Sequence, residues 1–554
     1  MKKTRNLILI LTLVFLVFSC SGCGGGNKAK LTYVDLVNND TGFTATDADV
    51  AIAIGLAKGN VYKDKMNQFL DKLSSGEQEE IMGGIIEILN DETATFTPRY
   101  DFSSVSGGVL KVGMECAYEP YNWTQDDDRN GALPIANLKG KYANGYDVQI
   151  AAMVAASMNM TIEIYQYEWE SLIPAVNSAA LDAIVAGMSP TEERKKEIDF
   201  TTPYYRSTLV VVTREGSVIA DAKSLSEIDR EGVKIAGQPG TFHLSALQSQ
   251  TSRLTAIDSL ATFVDMRMAL EAGTIDGYVA ERPTANAVCN AKQNDDEGFF
   301  VSVGNILKTY WKDFLKGVGY TVSIALISTV AGLLIGLIIG VVRTIPRSKK
   351  KWVAVIQKIV DVILSVYIEV FRGTPMMVQA MVIYWGYAFA TGGNTLNLFL
   401  SALIIVSINT GAYIAEIVRG GIISIDKGQF EGARALGMGH VATMVHVILP
   451  QVIRNILPAV SNEFVINIKD TSVLNVIGVT ELYFFTNVIV KQTYKNFPIY
   501  FICCVIYFIM TFTITRLLRL VEKALAGKDN YTICGSQSDS ASMIKVTKEE
   551  IPND

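Results

Sequence analysis

The segment Gly187-Met188-Ser189-Pro190-Thr191-Glu192-Glu193-Arg194 carries residue types that can bind a carboxylate. Ser189 followed by Pro190, with Glu192 three positions on, is the pattern of a capped helix start. A helix N-terminus offers free N–H groups and a partial positive charge, and Arg194 can add a two-pronged contact to the same anion. Taken alone, however, the segment fits a capped surface helix with a solvated arginine better.

The elements around this segment give it a setting in which ligands bind. From about 31 to 300 short apolar strands alternate with amphipathic helices, as in the strand predicted at 110–113 and the helix predicted at 148–158. Strands that alternate with helices indicate βαβ units and parallel sheets. Ligands of such sheets bind beyond the carboxyl ends of the strands. The sequence therefore predicts an α/β domain with a ligand site near Gly187.

Five motifs that follow one another along the chain favour the ligand-binding interpretation. They are Gly113 to Trp123, Trp169 to Pro174, Gly187 to Arg194, Asp199 to Tyr205 and Gly240-Thr241. This series resembles the polar amino acid-binding proteins of ABC importers, over roughly Val109 to Ala291. The resemblance implies two α/β lobes that close on the ligand.

The resemblance also implies roles for individual residues. Arg194, Ser189, the main chain near Gly187, and Thr241 would hold the ligand α-carboxylate. Glu281 stands where the family usually places an Asp for the α-ammonium, and it could instead be a surface acid. A zwitterion supplies partners for both buried charges.

Three further positions concern the ligand side chain. Tyr118 and Trp169 would sandwich it, although both could be core aromatics, and Glu115 matches an acidic position that can meet a polar or cationic end. Departures from the family pattern are Glu281, Phe242 and an insertion at about 126–142. The ligand therefore stays open, with a cationic amino acid favoured and glutamine next.

The segment near the N-terminus resembles the C-terminal segment of this family, which is missing after Ala291. It reads Ala51-Ile52-Ala53-Ile54-Gly55-Leu56-Ala57-Lys58-Gly59 and continues into an amphipathic pattern. We predict a circular permutation in which 31–90 completes the lobe that begins at Leu110. The alternative is the remnant of a truncated first binding domain, which would expose an apolar helix face.

The first residues are typical of an export signal. Positive residues precede an apolar run, Leu7 to Phe18, that is too short to span a bilayer. The run is followed by Cys20 and Cys23 and then by three glycines. This arrangement resembles a bacterial lipoprotein signal in which one of the two cysteines is acylated. A plain signal peptide or an uncleaved anchor is the alternative. Each of these interpretations places the segment that follows outside the cytoplasm.

The C-terminal half contains apolar runs long enough to span a membrane. The five predicted spans are Tyr320 to Val342, Met376 to Ala390, Leu396 to Val418, about Ile453 to Val476, and Ile499 to Leu518. The stretch Trp352 to Arg372 is interrupted by charges and is predicted to be an elbow. Basic residues from Arg343 to Lys351 follow the first span, so the positive-inside rule places that end and the C-terminus in the cytoplasm.

The loop after the third span resembles the ATPase-docking loop of ABC importer permeases. It reads Gly428-Gln429-Phe430-Glu431-Gly432-Ala433-Arg434-Ala435-Leu436-Gly437, then Ile448-Leu449-Pro450. The resemblance implies that Glu431, Gly432, Ala433 and Gly437 couple the protein to an ATPase. The usual Glu-Ala-Ala reads Glu-Gly-Ala here. The sequence has no Gly-x-x-x-x-Gly-Lys-Ser/Thr loop, so a separate subunit must bind ATP.

Composition excludes several other classes. The chain has 554 residues, of which 49% are apolar and 19% charged, and a net charge of −6. These values argue against a purely soluble enzyme, a disordered chain and a nucleic-acid-binding protein. Three His and seven scattered Cys give no zinc pattern, no base or nucleophile constellation indicates catalysis, and no cofactor is expected.

The sequence thus predicts a two-lobed α/β domain of the periplasmic-binding-protein type, followed by an all-α permease with about five transmembrane helices. The expected function is ATP-driven import of a polar amino acid in a bacterial cell membrane, with the binding domain outside. The expected partners are an ATPase subunit, a second permease copy, most simply in a homodimer, and membrane lipid. The alternatives are an amino acid receptor or sensor without transport and, third, an exported dehydratase. The predicted division is a lipoprotein-like signal peptide at 1–23, an amino acid-binding domain at 31–300, a linker at 301–316, a permease domain at 317–525 and a disordered cytoplasmic tail at 526–554.

Overall fold

The computed structural model describes residues 30–36, 42–46, 50–91, 93–239, 241–260, 262–290, 298–493 and 495–525. The predicted signal peptide with Cys20 and Cys23, and the predicted tail at 526–554, lie outside the described residues. The described residues form two compact units. Of the described residues, the first unit contains those within 30–166, 182–309 and 489–499, and the second those within 167–181, 310–488 and 500–525.

Two five-stranded sheets make the two lobes of the first unit. The first-lobe sheet has the order Asp199–Phe200, Gly55–Leu56, Ala183–Ile184, Val109–Met114, Thr161–Gln166. The second-lobe sheet has the order Leu31–Val34, Leu209–Arg214, Gly277–Glu281, Lys234–Ala236, Thr255–Ile257. Along the strand Leu209–Arg214, Val211 joins one buried apolar cluster while Val210 and Val212 join another. Successive strand residues face opposite sides, so this sheet is covered on both faces.

Two smaller sheets and a set of helices complete the first unit. The smaller sheets pair Ala51–Ile52 with Tyr205–Arg206, and Ala117–Tyr118 with Asn122–Gln125, Tyr142–Asn144 and Leu133–Pro134. The helices are Lys63–Leu70, Ser75–Asn90, Tyr146–Ser157, Arg194–Glu197, Leu225–Ile228, Phe242–Gln250, Phe263–Glu271 and Arg282–Asn290.

The N-terminal segment is built into both lobes. Gly55 pairs with Ile184 and Phe200 in the first-lobe sheet. The helix Ser75–Asn90, which starts with a capping box at Ser74, buries Ile81, Met82 and Ile85, and it contacts the helices Tyr146–Ser157 and Arg282–Asn290. The strand Leu31–Val34, however, pairs with Leu209–Arg214 in the second sheet, so this part does not complete the lobe that begins at Leu110.

The second unit is helical. Its helices are Trp169–Asn177, Lys351–Gly373, Met376–Ala390, Leu398–Ile423, Lys427–Ala435, His440–Thr443 and Leu449–Asp470, with most of Phe299–Arg343, Leu482–Thr493 and Asn496–Leu525. Four helical stretches are long and apolar enough to cross a membrane: Phe299–Arg343, Leu398–Ile423, His440–Ile477 and Asn496–Ala524. The shorter apolar helix Met376–Ala390 matches the remaining predicted span. The predicted fold class, an α/β two-lobed domain followed by a multi-span helical domain, is confirmed.

Glycines let two of the long helices approach closely. Gly332, Gly336 and Gly340 lie four residues apart along Phe299–Arg343 and face Leu398–Ile423. A Cβ atom added at Gly336 would lie 2.6 Å from Ile414 Cγ2. Small residues at this spacing are a recurrent way to pack helices within a membrane.

Candidate functional site

The predicted site residues of the first unit lie at the carboxyl ends of strands from both lobes. Glu115 follows the strand Val109–Met114, Gly187 follows Ala183–Ile184, and Glu281 ends Gly277–Glu281. Thr241 precedes the helix Phe242–Gln250 in the second lobe. Ligand sites of α/β sheets occur at these strand ends.

Glu281 is paired with a residue that the sequence reasoning did not single out. His243 Nε2 lies 2.9 Å from Glu281 Oε1, and the side chains are 8% and 7% exposed. Burial raises the pKa of Glu281 to about 8. Burial, helped by the Arg194 charge, lowers the pKa of His243 to about 3. Both directions favour an uncharged pair at neutral pH, with a protonated carboxyl and a neutral imidazole.

Tyr118 is stacked between two other rings. Tyr121 lies 5.0 Å away between centroids at an interplanar angle of 22°, and Phe263 of the second lobe lies 4.6 Å away at 19°. Phe263 also meets the His243 ring edge-on at 5.6 Å. The cleft is therefore closed in this structure, and stacking of a ligand on Tyr118 would require Phe263 to move.

Gly187 closes the first-lobe wall beneath Tyr118. Its φ of +63° is a conformation that L side chains rarely adopt, and an added Cβ atom would lie 2.9 Å from Tyr118 Cε1. A glycine is required here for two reasons, its backbone conformation and the close approach of the ring.

A buried hydrogen-bond network holds these first-lobe residues. Asp147 accepts from Tyr204 Oη at 2.6 Å and from Asn122 Nδ2 at 2.7 Å. Gly187 N donates to Tyr204 Oη at 3.3 Å, and Asn122 Oδ1 accepts from Cys116 N at 2.7 Å. The network therefore links Gly187 to the loop that carries Tyr118.

Arg194 is mostly buried, and its Nη1 donates to the main-chain carbonyl of Ser189 at 2.9 Å. Burial lowers the pKa of Arg194 to about 10, so the guanidinium keeps its charge at neutral pH. The predicted helix start at Ser189 is wrong, because the helix is only Arg194–Glu197. The main-chain carbonyl of Ser189 accepts hydrogen bonds from Thr191 N and from the Arg194 guanidinium, and it does not start a helical turn. This segment therefore offers an anion the Arg194 guanidinium and not a helix N-terminus.

The other predicted positions are placed as follows. Glu115 is buried, and Thr241 Oγ1 donates to Gln238 O at 2.7 Å. Trp169 starts the helix Trp169–Asn177, which belongs to the second unit, so its role opposite Tyr118 stays a prediction.

Polar atoms from both lobes are buried without a hydrogen-bond partner among the described residues. They include Tyr118 Oη from the first lobe and His243 Nδ1, Glu281 Oε2 and Thr284 Oγ1 from the second. Unsatisfied buried polar atoms are costly, and they are expected where a polar ligand binds. Tyr118 and Thr284 line one small cavity together with Phe263 and Arg267.

The predicted coupling loop of the second unit forms a short helix, Lys427–Ala435, capped by Asp426. Ala433 is buried, and Phe430 packs against the apolar cluster that contains Ile422 and Met444. Glu431 and Gly432 are exposed. Gly437, whose φ is +78°, follows the end of the helix and turns the chain away. The loop is thus fixed to the bundle on one side and presents Glu431 on the other.

The fold and the site together define a membrane transport component that carries its own ligand-binding domain. Residues 110–366 match the family described as bacterial extracellular solute-binding proteins, family 3. Residues 332–527 match the family described as binding-protein-dependent transport system inner membrane component.

Several curated proteins resemble the C-terminal half. The chain is 37% identical over 211 residues to the glutamine transport system permease protein of Escherichia coli, covering 38% of this chain and 92% of that protein. It is 34% identical over 221 residues to the L-cystine transport system permease protein of Bacillus subtilis, covering 40% and 89%. A crystal structure described as an amino acid ABC transporter with histidines is 38% identical, covers 39% of this chain and 96% of that one, and has a TM-score of 0.35.

The chain therefore belongs to the family of inner-membrane components of binding-protein-dependent transport systems. It carries a family 3 solute-binding domain and a permease domain of a binding-protein-dependent transport system in one chain, and it is a multi-pass membrane protein. Its relatives are permease subunits and not enzymes.

Sequence reasoning missed His243, Phe263 and the network around Asp147. His243 could have been found, because it stands two residues after Thr241 and is one of only three histidines. Phe263 and Asp147 carry no local signal, since their contacts are set by lobe closure and by residues 25 to 57 positions away.

Proposed function

We propose that this protein captures a polar amino acid in its two-lobed domain and imports it through its own permease domain with energy from a separate ATPase. The observation that carries the proposal is the closed cleft, in which Glu281 on one lobe is buried and Arg194 on the other is mostly buried. An α-amino acid zwitterion offers a carboxylate to the first and an ammonium to the second.

Binding would work by satisfying groups that are costly to bury. The guanidinium of Arg194 stays charged, and a carboxylate can accept two of its N–H bonds in a fork geometry. Glu281 Oε2 has no partner among the described residues and can accept from the ammonium. The ligand thus supplies the contacts that make closure favourable, which is how lobe closure senses occupancy.

We also propose the division of the chain and its permuted order. Residues 31–300 form the binding domain, 301–316 the linker and 317–525 the permease domain, after a lipoprotein-like signal at 1–23 and before a cytoplasmic tail. The pairing of Gly55 with strands at 184 and 200 supports permutation over an unpaired remnant. The binding domain would lie outside the cell, anchored also by lipid at Cys20 or Cys23, with the C-terminus inside.

The loop helix Lys427–Ala435 would transmit the ATPase movement to the bundle. Its exposed Glu431 can pair with a basic residue, and Leu436, 83% exposed, offers an apolar contact beside it. Because Phe430 and Ala433 pack inward, a displacement of this helix moves the bundle with it. The permease would act as a dimer of two such chains with two ATPase subunits.

Isothermal titration calorimetry of the full chain in nanodiscs, against each of the twenty amino acids, tests the proposal. We expect binding of polar amino acids and a loss of about 100-fold or more in Arg194→Ala, from about 3 kcal/mol of charge-assisted hydrogen bonds. Arg194→Lys should keep part of the affinity, and Arg230→Ala, an exposed arginine, is the matched control. Absence of binding to every amino acid would refute the proposal. Binding without ATP-dependent uptake in vesicles would instead favour a receptor.

A further inference from the structure

The hydrogen shared by His243 and Glu281 affects how this pair can bind the ammonium group of a ligand. The distance of 2.9 Å from Nε2 to Oε1 means that one hydrogen lies between the two atoms. In the uncharged pair the carboxyl O–H donates to Nε2, and the neutral imidazole carries its single N–H hydrogen on Nδ1. Nδ1 and Oε2, the two outer atoms, are buried and have no partner among the described residues.

An arriving ammonium changes this balance. A protonated carboxyl is a poor partner for a buried cation, whereas a carboxylate is a good one. The carboxyl proton can pass to Nε2 while the hydrogen on Nδ1 leaves to water. The O–H bond breaks, an N–H bond forms at Nε2, and the N–H bond at Nδ1 breaks, so one proton is released for each ammonium bound. His243 then donates Nε2–H to the ionised Glu281.

The other charged groups near the pair lie on the first lobe, on the helix Phe263–Glu271 and next to Glu281. From the first lobe, the buried Glu115 lies on the loop before Tyr118, and the Arg194 cation disfavours a charged His243. On the helix Phe263–Glu271, Arg267 Nε lies 3.0 Å from Glu271 Oε1. Arg282, next to Glu281, is bound to Asp35. Tyr278 lies on the strand that carries Glu281, and Thr284 lies on the helix that follows it.

We propose that His243 is a specificity-determining residue of the amino-group subsite: together with Glu281 it holds one proton that a ligand ammonium must displace. The inference rests on the proposed function, since it assigns how that site selects its ligand. It makes the site selective for protonated amines and makes affinity increase with pH. Acylated amino acids, which cannot displace the proton, should not bind.

The test is calorimetry of glutamine binding to the full chain between pH 5.5 and 7.5, where the ligand stays zwitterionic. We expect the affinity of the wild type to rise by up to tenfold for each pH unit. Titrations at pH 6.5 in phosphate and in Tris, which differ in ionisation enthalpy, should show close to one proton released. If glutamine does not bind, the best binder with an uncharged side chain takes its place.

Variants separate a role of His243 in proton binding from a merely structural one. An amide in His243→Gln can still bond to Glu281 but offers no basic nitrogen, so the pair should bind its proton less tightly. We expect this variant to bind the ligand at least threefold more tightly than the wild type at pH 5.5, with a smaller difference at pH 7.5. His446→Gln, in the permease, is the matched control and should keep the wild-type profile.

Three results would overturn the inference: an affinity that does not change with pH, no proton release, or identical profiles for the wild type and His243→Gln. Each of them presupposes measurable binding. A wild type that binds no amino acid even at pH 7.5 would instead refute the proposed function. Because the chain has three histidines, ¹⁵N NMR of the imidazoles can follow the shift of the hydrogen from Nδ1 to Nε2 directly.

Discussion

Replacement of Gly187 by alanine tests the first-lobe wall of the cleft, and the chain supplies a matched control. Gly187 has φ +63° and would place a Cβ atom 2.9 Å from Tyr118. Gly140 has φ +83° and would place its Cβ atom in open space. Both substitutions strain the backbone, but only that at Gly187 also creates a contact with a neighbour.

The expected magnitudes follow from these two terms. Left-handed backbone strain at a non-glycine residue costs about 1 kcal/mol or more, which is the whole expected effect at Gly140. Overpacking of a tight interior adds roughly 1–3 kcal/mol. Tyr118 cannot easily yield, because Tyr121 and Phe263 stack on it. We therefore expect Gly187→Ala to cost about 2–4 kcal/mol.

Native-state hydrogen exchange of the full chain, read by mass spectrometry on peptides from 109–125, measures the free energy of opening. Gly187→Ala should lower it by about 1–3 kcal/mol more than Gly140→Ala does, and should also weaken ligand binding. Equal losses in the two variants would show that the contact with Tyr118 carries no energy. The reasoning about this wall would then be refuted.

Other regions of the chain give further predictions. Asp199 accepts from Gly59 N at 3.0 Å and lies 3.1 Å from Lys58 Nζ, and these contacts lower its pKa. Their stabilisation is fully present above pH 3.8 and is lost as the pH falls through the lowered pKa of Asp199, so Asp199→Asn should cost no more than about 1 kcal/mol in a urea titration at pH 7 and less at pH 3. Gly336→Ala should cost about 1–3 kcal/mol in the thermal stability of the bundle, because its Cβ would meet Ile414, whereas Gly386→Ala has open space and should be neutral. Deletion of 31–89 should unfold both lobes, as read by circular dichroism; a stable first unit without these residues would contradict the permuted arrangement.

Much of the architecture could be predicted because its signals are local. The apolar runs of the C-terminal half exceed bilayer length, and each predicted span corresponds to an apolar helix of the structure. The strand predicted at 110–113 overlaps Val109–Met114, and the helix predicted at 148–158 overlaps Tyr146–Ser157. The N-terminal segment was predicted to join the binding domain because it resembles the C-terminal segment of the family. Its strand Leu31–Val34, however, joined the other sheet, since an apolar strand of four residues does not specify which edge it pairs with.

The site was harder to predict because its contacts join distant parts of the chain. Arg194, Gly187 and Glu281 were predicted as site residues through motif order and family resemblance. The capping pattern at Ser189 was misleading, since the carbonyl of Ser189 binds Arg194 instead of starting a helix. The sequence around Glu281 does not indicate a partner at His243, which is 38 residues away. The two side chains meet because the helix Phe242–Gln250 packs beside the strand Gly277–Glu281.

The order of segments joins both lobes to the helical unit. The polypeptide leaves the strand Gly277–Glu281 of the second lobe through the helix Arg282–Asn290 and continues to Phe299–Arg343. In the first lobe, the strands Thr161–Gln166 and Ala183–Ile184 flank residues 167–181, which belong to the second unit. Any hinge motion of the cleft would therefore have to be accommodated by chain connections from both lobes.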